Sequence, residues 1–321
     1  RAFVWKLIMA EYKPSQDTRW VDIQKRTFTR WANNFLSERM MKINDLVTDL
    51  SDGLLLLNLL EIISDKKITG YNKRPKIRAQ KLENTGLALR FLKQEGIKLV
   101  AIGAEDISDG NLKLILGMIW TIILRYQINK GGASNSAKND LLEWVRKKIP
   151  ECNVNNFLDS WSDGRAVCHL VEALDPGAFG PLDGLDPANA LDNATRGEEA
   201  AEEKMGIPMV MDPQDMVEAA DELSCMTYIS YFRDYEANEG RRRAAEIAAR
   251  TADPSKCIAF GPGLETGEVQ IPGTFTIQLR NAAGANITNP IKEYKPVIAI
   301  SGTHSPACSC HYNGDGTFSC Q

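Results

Sequence analysis

Apolar residues recur along the first part of the chain in two patterns. Trp20, Phe28, Trp31 and Phe35 fall at near-helical spacing, which predicts an amphipathic helix over that segment. The run from Leu54 to Ile63 is apolar on every face, as in a helix at the centre of a bundle, and Leu112 to Tyr126 reads the same way. Ser51-Asp52-Gly53 reads as the turn that caps the first run, and Asp109-Gly110-Asn111 opens the second. Beta-branched residues do not alternate with polar ones here, so strands fit poorly.

The same pattern returns about a hundred residues later. Leu50-Ser51-Asp52-Gly53-Leu54 is echoed by Trp161-Ser162-Asp163-Gly164-Arg165 at an offset of 111, and Thr29-Arg30-Trp31 by Leu142-Glu143-Trp144 at 113. Glu95-Gly96-Ile97 recurs as Met205-Gly206-Ile207 at 110, and Met118 to Ile122 as Met226 to Ser230 at 108. Four anchors in order and at near-constant spacing predict two copies of one helical domain. The expected divisions are a leader over 1–17, domains over 18–130 and 138–235 with a polar linker at 131–137, and a charged helical spacer over 236–252.

Length and composition agree with several globular domains: 321 residues, 43% hydrophobic and 25% charged. No stretch approaches the roughly 18 apolar residues of a membrane span, so a transmembrane role is not expected. The apolar opening from Ala2 to Ala10 is split by Lys6 and reads as a short leader rather than a signal peptide. Seven cysteines without CxxC pairs, and with no His at zinc spacing, predict reduced thiols, no disulfide framework and no metal or other cofactor. Two glycosylation sequons, Asn193-Ala194-Thr195 and Asn286-Ile287-Thr288, carry no weight without an export signal.

Charge is unevenly distributed. Residues 18–130 carry 19 basic and 12 acidic side chains, a net of +7, whereas residues 138–240 carry 8 and 22, a net of −14. Only the first copy can therefore attract an acidic partner through its field. Lys66, Lys67, Lys73, Arg74, Lys76, Arg78 and Lys81 follow one another with no acidic residue between them. Nucleic acid is not expected, because no recognition motif accompanies the patch and Tyr71 alone provides no stacking platform. Only three histidines (169, 304, 311) are present, with no Ser/His/Asp order or phosphate loop, so catalysis is not expected either.

Trp31, the Ser51-Asp52-Gly53-Leu54 run and Asn111 to Leu124 resemble a calponin-homology domain, repeated from Asn139 to Ser230. A tandem of this kind resembles the actin-binding region of the filamin, alpha-actinin and spectrin group. Behind it, Thr274 to Leu279 alternates, Pro296 to Ile300 is rich in β-formers, and Asn313-Gly314-Asp315-Gly316 reads as a hairpin turn rather than a calcium loop. Asp253 to Cys257, Gly261 to Leu264 and Asn313 to Phe318 resemble the first immunoglobulin-like repeat of filamins, here cut short at about 68 residues. The expected fold is thus multidomain: two all-α calponin-homology domains, then an incomplete all-β immunoglobulin-like sandwich over 253–321.

The resemblance implies filamentous actin as the partner, with the first copy docking and the second modulating access. It points to three surfaces: Trp20 to Phe35; Asn72 to Lys81 with Leu112 to Ile122; and Lys138 to Lys148. Phe28, Trp31, Phe35, Trp120 and Trp144 are expected in the core, leaving Ile23, Lys25, Arg26, Thr27 and Arg30 to face the filament. Lys73, Arg74, Lys76 and Arg78 supply the cationic loop, and Leu114, Ile115 and Met118 an apolar contact. Opposite charges should draw the copies into a closed state, with Trp120 meeting Leu223 between them. The alternative is an adaptor binding anionic lipid, such as phosphoinositides, or microtubules through the same basic face. Filamins dimerise through distant repeats that this chain does not include, so crosslinking and a homodimer are expected only of a longer protein.

Overall fold

The computed structural model describes residues 18–129, 136–266, 271–299 and 308–321. The expected leader and most of the expected linker lie outside them. The chain divides into two compact units between Tyr235 and Glu236.

The first unit is all-helical. Its first module comprises α1 (Arg19–Leu36), α2 (Leu46–Asp49), α3 (Leu54–Ser64), α4 (Arg78–Gln94), α5 (Ala104–Ser108) and α6 (Leu112–Ile123). The second comprises α7 (Ala137–Lys148), α8 (Arg165–Leu174), α9 (Ala190–Met205), α10 (Pro213–Glu218) and the start of α11 (Glu222–Arg250). The two all-apolar runs become α3 and α6, which pack with α1 around fully buried Phe28, Trp31, Leu56, Leu59 and Ile119. Each such side chain contributes about 1.5–3 kcal/mol by leaving water. In the second module Trp161, Val167, Leu170, Tyr228 and Phe232 do the same, and the buried residues of both modules form one continuous apolar cluster.

The repeated Ser-Asp-Gly motif has a physical reason. Gly53 and Gly164 sit at φ +78° and +69°, where side chains are disfavoured, and each starts a helix. A Cβ on Gly53 would lie 2.8 Å from Asn84, and one on Gly164 2.4 Å from the Ala190 carbonyl oxygen. Both glycines therefore set how closely the central helix approaches its neighbour. The preceding aspartates cap the helix: Asp52 accepts from the Leu54 N–H and Asp163 from the Arg165 N–H, each at 2.9 Å.

The second unit contains one antiparallel sheet in the order β1-β2-β4-β3, from β1 (Ile258–Phe260), β2 (Phe275–Gln278), β3 (Cys310–Tyr312) and β4 (Thr317–Cys320). Leu279, Ile287, Phe318 and Cys320 form its small core. This is the expected incomplete β-module. The turn at Asn313–Gly316 is as expected, with Asp315 Oδ1 accepting from the Thr317 N–H at 3.0 Å and hydroxyl at 2.6 Å. Two expectations fail. Ile300 lies outside the described residues; residues 296–299 form no strand, and Val297 is 94% exposed: Pro296 donates no hydrogen bond, and none of the described residues pairs with the segment. Cys310 and Cys320 are disulfide-bonded rather than free, because the hairpin register sets them directly opposite one another.

Candidate functional site

The cationic loop before α4 is held from beneath by a buried asparagine. Asn84, wholly inaccessible, accepts from the Asn72 N–H at 2.7 Å and donates to the carbonyls of Asn72 (2.9 Å) and Asp52 (3.0 Å). Asn72 and Gln80 then accept from the N–H groups of Arg74 (2.9 Å) and Lys76 (2.7 Å), so the loop backbone is fixed while its side chains extend. Lys73, Arg74 and Lys76 are exposed and pair with no acidic group among the described residues. Arg78 is also exposed but forms a two-pronged pair with Asp109, whose carboxyl it holds below the usual range. Three of the four predicted loop cations are thus available to an anionic partner.

On α1 the structure corrects the expectation. Ile23 and Thr27 are 2% and 1% exposed, because the face opposite the first core is covered by the second module. Arg26 bonds Asp215 at 2.6 Å and approaches Asp212 at 3.3 Å, Arg30 meets Asp212 at 2.6 Å, and Gln24 donates to Asp221 at 2.9 Å. Lys25 pairs with Asp45 within its own module and lowers that carboxyl. The expected closed state is therefore present, with its ionic rim on the cations assigned to the filament. Arg19, Asp22, Leu191 and Thr195 help line an open cleft of about 660 Å³ at this seam. At the other end, Gln127 donates to Asp234 at 2.7 Å and Arg233 to the Ile128 carbonyl.

The apolar assignments on α6 are also revised. Ile115 and Met118 are 0% and 2% exposed and belong to the core; of the three assigned residues only Leu114 is half-buried at the surface. Trp120 is buried and stacks on Phe28 with ring centroids 6.3 Å apart, and half-buried Leu223 packs on the same continuous cluster. Trp144 and Phe35 are only partly buried.

Two features lay beyond the sequence reading. Glu198 on α9 is wholly inaccessible, with no hydrogen-bond partner for either carboxylate oxygen among the described residues. Burial, reinforced by Asp212 and opposed by Arg30, pushes its carboxyl up to about 9. Asp221 is likewise raised by burial, although Ser224 and Gln24 donate to it. Asn193, 2% exposed, bonds the carbonyls of Asp163 (3.0 Å) and Asp186 (2.9 Å) as Asn84 does in the first module, a fifth anchor of the repeat.

Comparison with known proteins matches this architecture. The calponin homology (CH) domain family matches residues 22–128 and 135–238, and the Filamin/ABP280 repeat matches 251–321. Filamin-A of Drosophila melanogaster is 39% identical over 292 residues, covering 87% of this chain and 13% of its own length. Filamin-C of Rattus norvegicus is 39% identical over 281 residues, covering 84% and 10%. Alpha-actinin-1 of Homo sapiens is 41% identical over 242 residues, covering 73% and 26%. Among solved structures, the actin-crosslinking core of Schizosaccharomyces pombe fimbrin matches with a TM-score of 0.55 at 25% identity, over 69% of this chain and 49% of that one. The chain thus spans about a tenth of the length of the filamins it matches. It belongs to the calponin homology domain family, carrying two such domains in tandem followed by a filamin repeat.

Proposed function

We propose that this segment binds filamentous actin, in the cytoplasm and as part of the cytoskeleton, and that it does so by docking rather than by catalysis. The first domain supplies the docking face. The observation that carries this is the braced loop bearing Lys73, Arg74 and Lys76, three cations without an acidic partner among the described residues, on a module of net charge +7. An acidic polymer would be drawn to that loop at long range and held by it at short range.

Arg26, Arg30 and Lys25 are the second part of the proposed face, and Leu114 its apolar contribution. In the closed arrangement Asp212 and Asp215 occupy Arg26 and Arg30, so the second domain competes with the filament for the same cations. Release of those pairs would also uncover Ile23 and Thr27. The second domain therefore acts as a gate. Crosslinking would require a longer protein that dimerises through repeats outside this chain.

Co-sedimentation of the whole chain with actin filaments tests this. Lys73→Glu with Arg74→Glu should weaken binding and flatten its salt dependence without changing the helical circular-dichroism signal. Unchanged binding would remove the loop from the mechanism. Phosphoinositide vesicles and microtubules in parallel arms separate actin from other anionic targets of the same cations.

A further inference from the structure

Away from these surfaces, folding gathers three metal-ligating side chains from a turn and the helix that follows it in the second module. Glu151 and Cys152 close the short turn Pro150–Cys152 that follows α7, and His169 projects from the middle of α8. His169 Nδ1 and Glu151 Oε1 lie 2.9 Å apart, and with the Cys152 sulfur their ligand atoms all fall within 4.8 Å of one another. We propose that Glu151, Cys152 and His169 form a divalent metal site of the zinc class, with a fourth position open to water.

The donor set selects the ion. Thiolate, imidazole and carboxylate are the ligands of tetrahedral zinc, at bond lengths of about 2.3, 2.0 and 2.1 Å that set ligand atoms about 3.3–3.6 Å apart. To reach that spacing the Glu151–His169 pair must open from 2.9 Å, exchanging its hydrogen bond for the ion, while no ligand atoms of the trio start more than 4.8 Å apart. Calcium and magnesium call for oxygen ligands throughout, so a sulfur and a nitrogen disfavour both.

The scaffold also suits the task. Neighbours of His169 on α8, among them Cys168 and Leu170, are fully buried, which fixes the helix that carries the imidazole. The Cys152 N–H donates to the Ile149 carbonyl at 3.1 Å, which fixes the turn that carries the thiol. Glu151 is exposed while Cys152 and His169 are half-buried, so an ion can enter from solvent and meet two constrained ligands. Arg165, one turn before His169, is paired with Asp163 at 2.8 Å, which limits its repulsion of a cation. Bound metal would staple the end of the first helix of the second domain to its central helix.

The test uses the whole chain, reduced and stripped with chelator, titrated with Co²⁺ as a spectroscopic probe and with Zn²⁺ by calorimetry. Co²⁺ should produce a thiolate-to-metal charge-transfer band that Cys152→Ser abolishes. Zn²⁺, but not Mg²⁺ or Ca²⁺, should protect Cys152 from alkylation as mapped by mass spectrometry. His169→Gln should weaken Zn²⁺ binding by roughly tenfold or more. Glu151→Gln, on the exposed rim, should weaken it without disturbing the packed helix. The proposal is overturned if wild-type chain shows no thiolate band, or if band and protection survive in Cys152→Ser and His169→Gln, which would move the ion to the other cysteines.

Discussion

Glu198 offers the sharpest quantitative test. Its carboxyl is buried with neither oxygen bonded, and burial raises it from 4.5 to about 9. The folded chain thus holds a proton that the unfolded chain releases over that interval. Stability is undiminished by this group below about pH 4.5, falls as pH rises, and levels off near pH 9. At about 1.4 kcal/mol per pH unit, the cost at pH 7 is about 3 kcal/mol. Glu198→Leu removes the ionisable group and keeps most of the volume. It should stabilise the helical unit by about 3 kcal/mol at pH 7, a rise of roughly 6–12 °C in Tm. At pH 5 the part of the gain that comes from ionisation should shrink to under about 1 kcal/mol. Glu198→Gln should also abolish the slope and recover most of the pH 7 gain, while staying less stable than the Leu variant at every pH, because a buried amide remains unpaired. Urea unfolding followed by circular dichroism between pH 5 and 9 measures all three proteins. Parallel pH curves for parent and Leu variant would refute the reasoning, and would mean that Glu198 is ionised and served by Arg30.

Three further outcomes probe the gate and its scaffold. Asp212→Ala with Asp215→Ala removes rim pairs contributing about 1–2 kcal/mol together, so filament affinity in co-sedimentation should rise five- to thirtyfold at low salt and less at high salt. Leu223→Glu places a charge against the shared apolar cluster and should also raise affinity; an unaltered value would show that closure does not regulate binding. Asn84→Ala leaves the Asn72 N–H and two carbonyls without their partner, and should cost about 2–4 kcal/mol in urea unfolding, with weaker filament binding as the loop loosens.

The helical architecture was legible because its signals are local and periodic. The all-apolar runs became the central helices, and the repeated Ser-Asp-Gly turns became their caps. The attraction between modules was legible from charge alone. Which face of α1 it would cover was not: Ile23 and Thr27 lie opposite the first core, and periodicity cannot tell solvent from a second module. Glu198 was hidden in a run of acidic residues, yet it shares the face of Ala194, Ala201 and Met205 at helical spacing, which marks it as inward-facing. Cys310 and Cys320 stand at equal distance from Asp315, so the predicted hairpin already implied their pairing. Cys152 and His169 have 16 residues between them, a gap that zinc motifs use, but neither belongs to a C-x-x-C or H-x-x-x-H pair, so only tertiary packing marks them.

The boundary between the two helical domains is oily beneath and ionic at its edge. Salt would loosen the edge while leaving the oily part intact, whereas cooling would weaken the oily part. A partly parted pair would wet that surface before a filament could shield it. Intermediate openings are therefore costly, and the pair should behave as a latch with two positions instead of a dial.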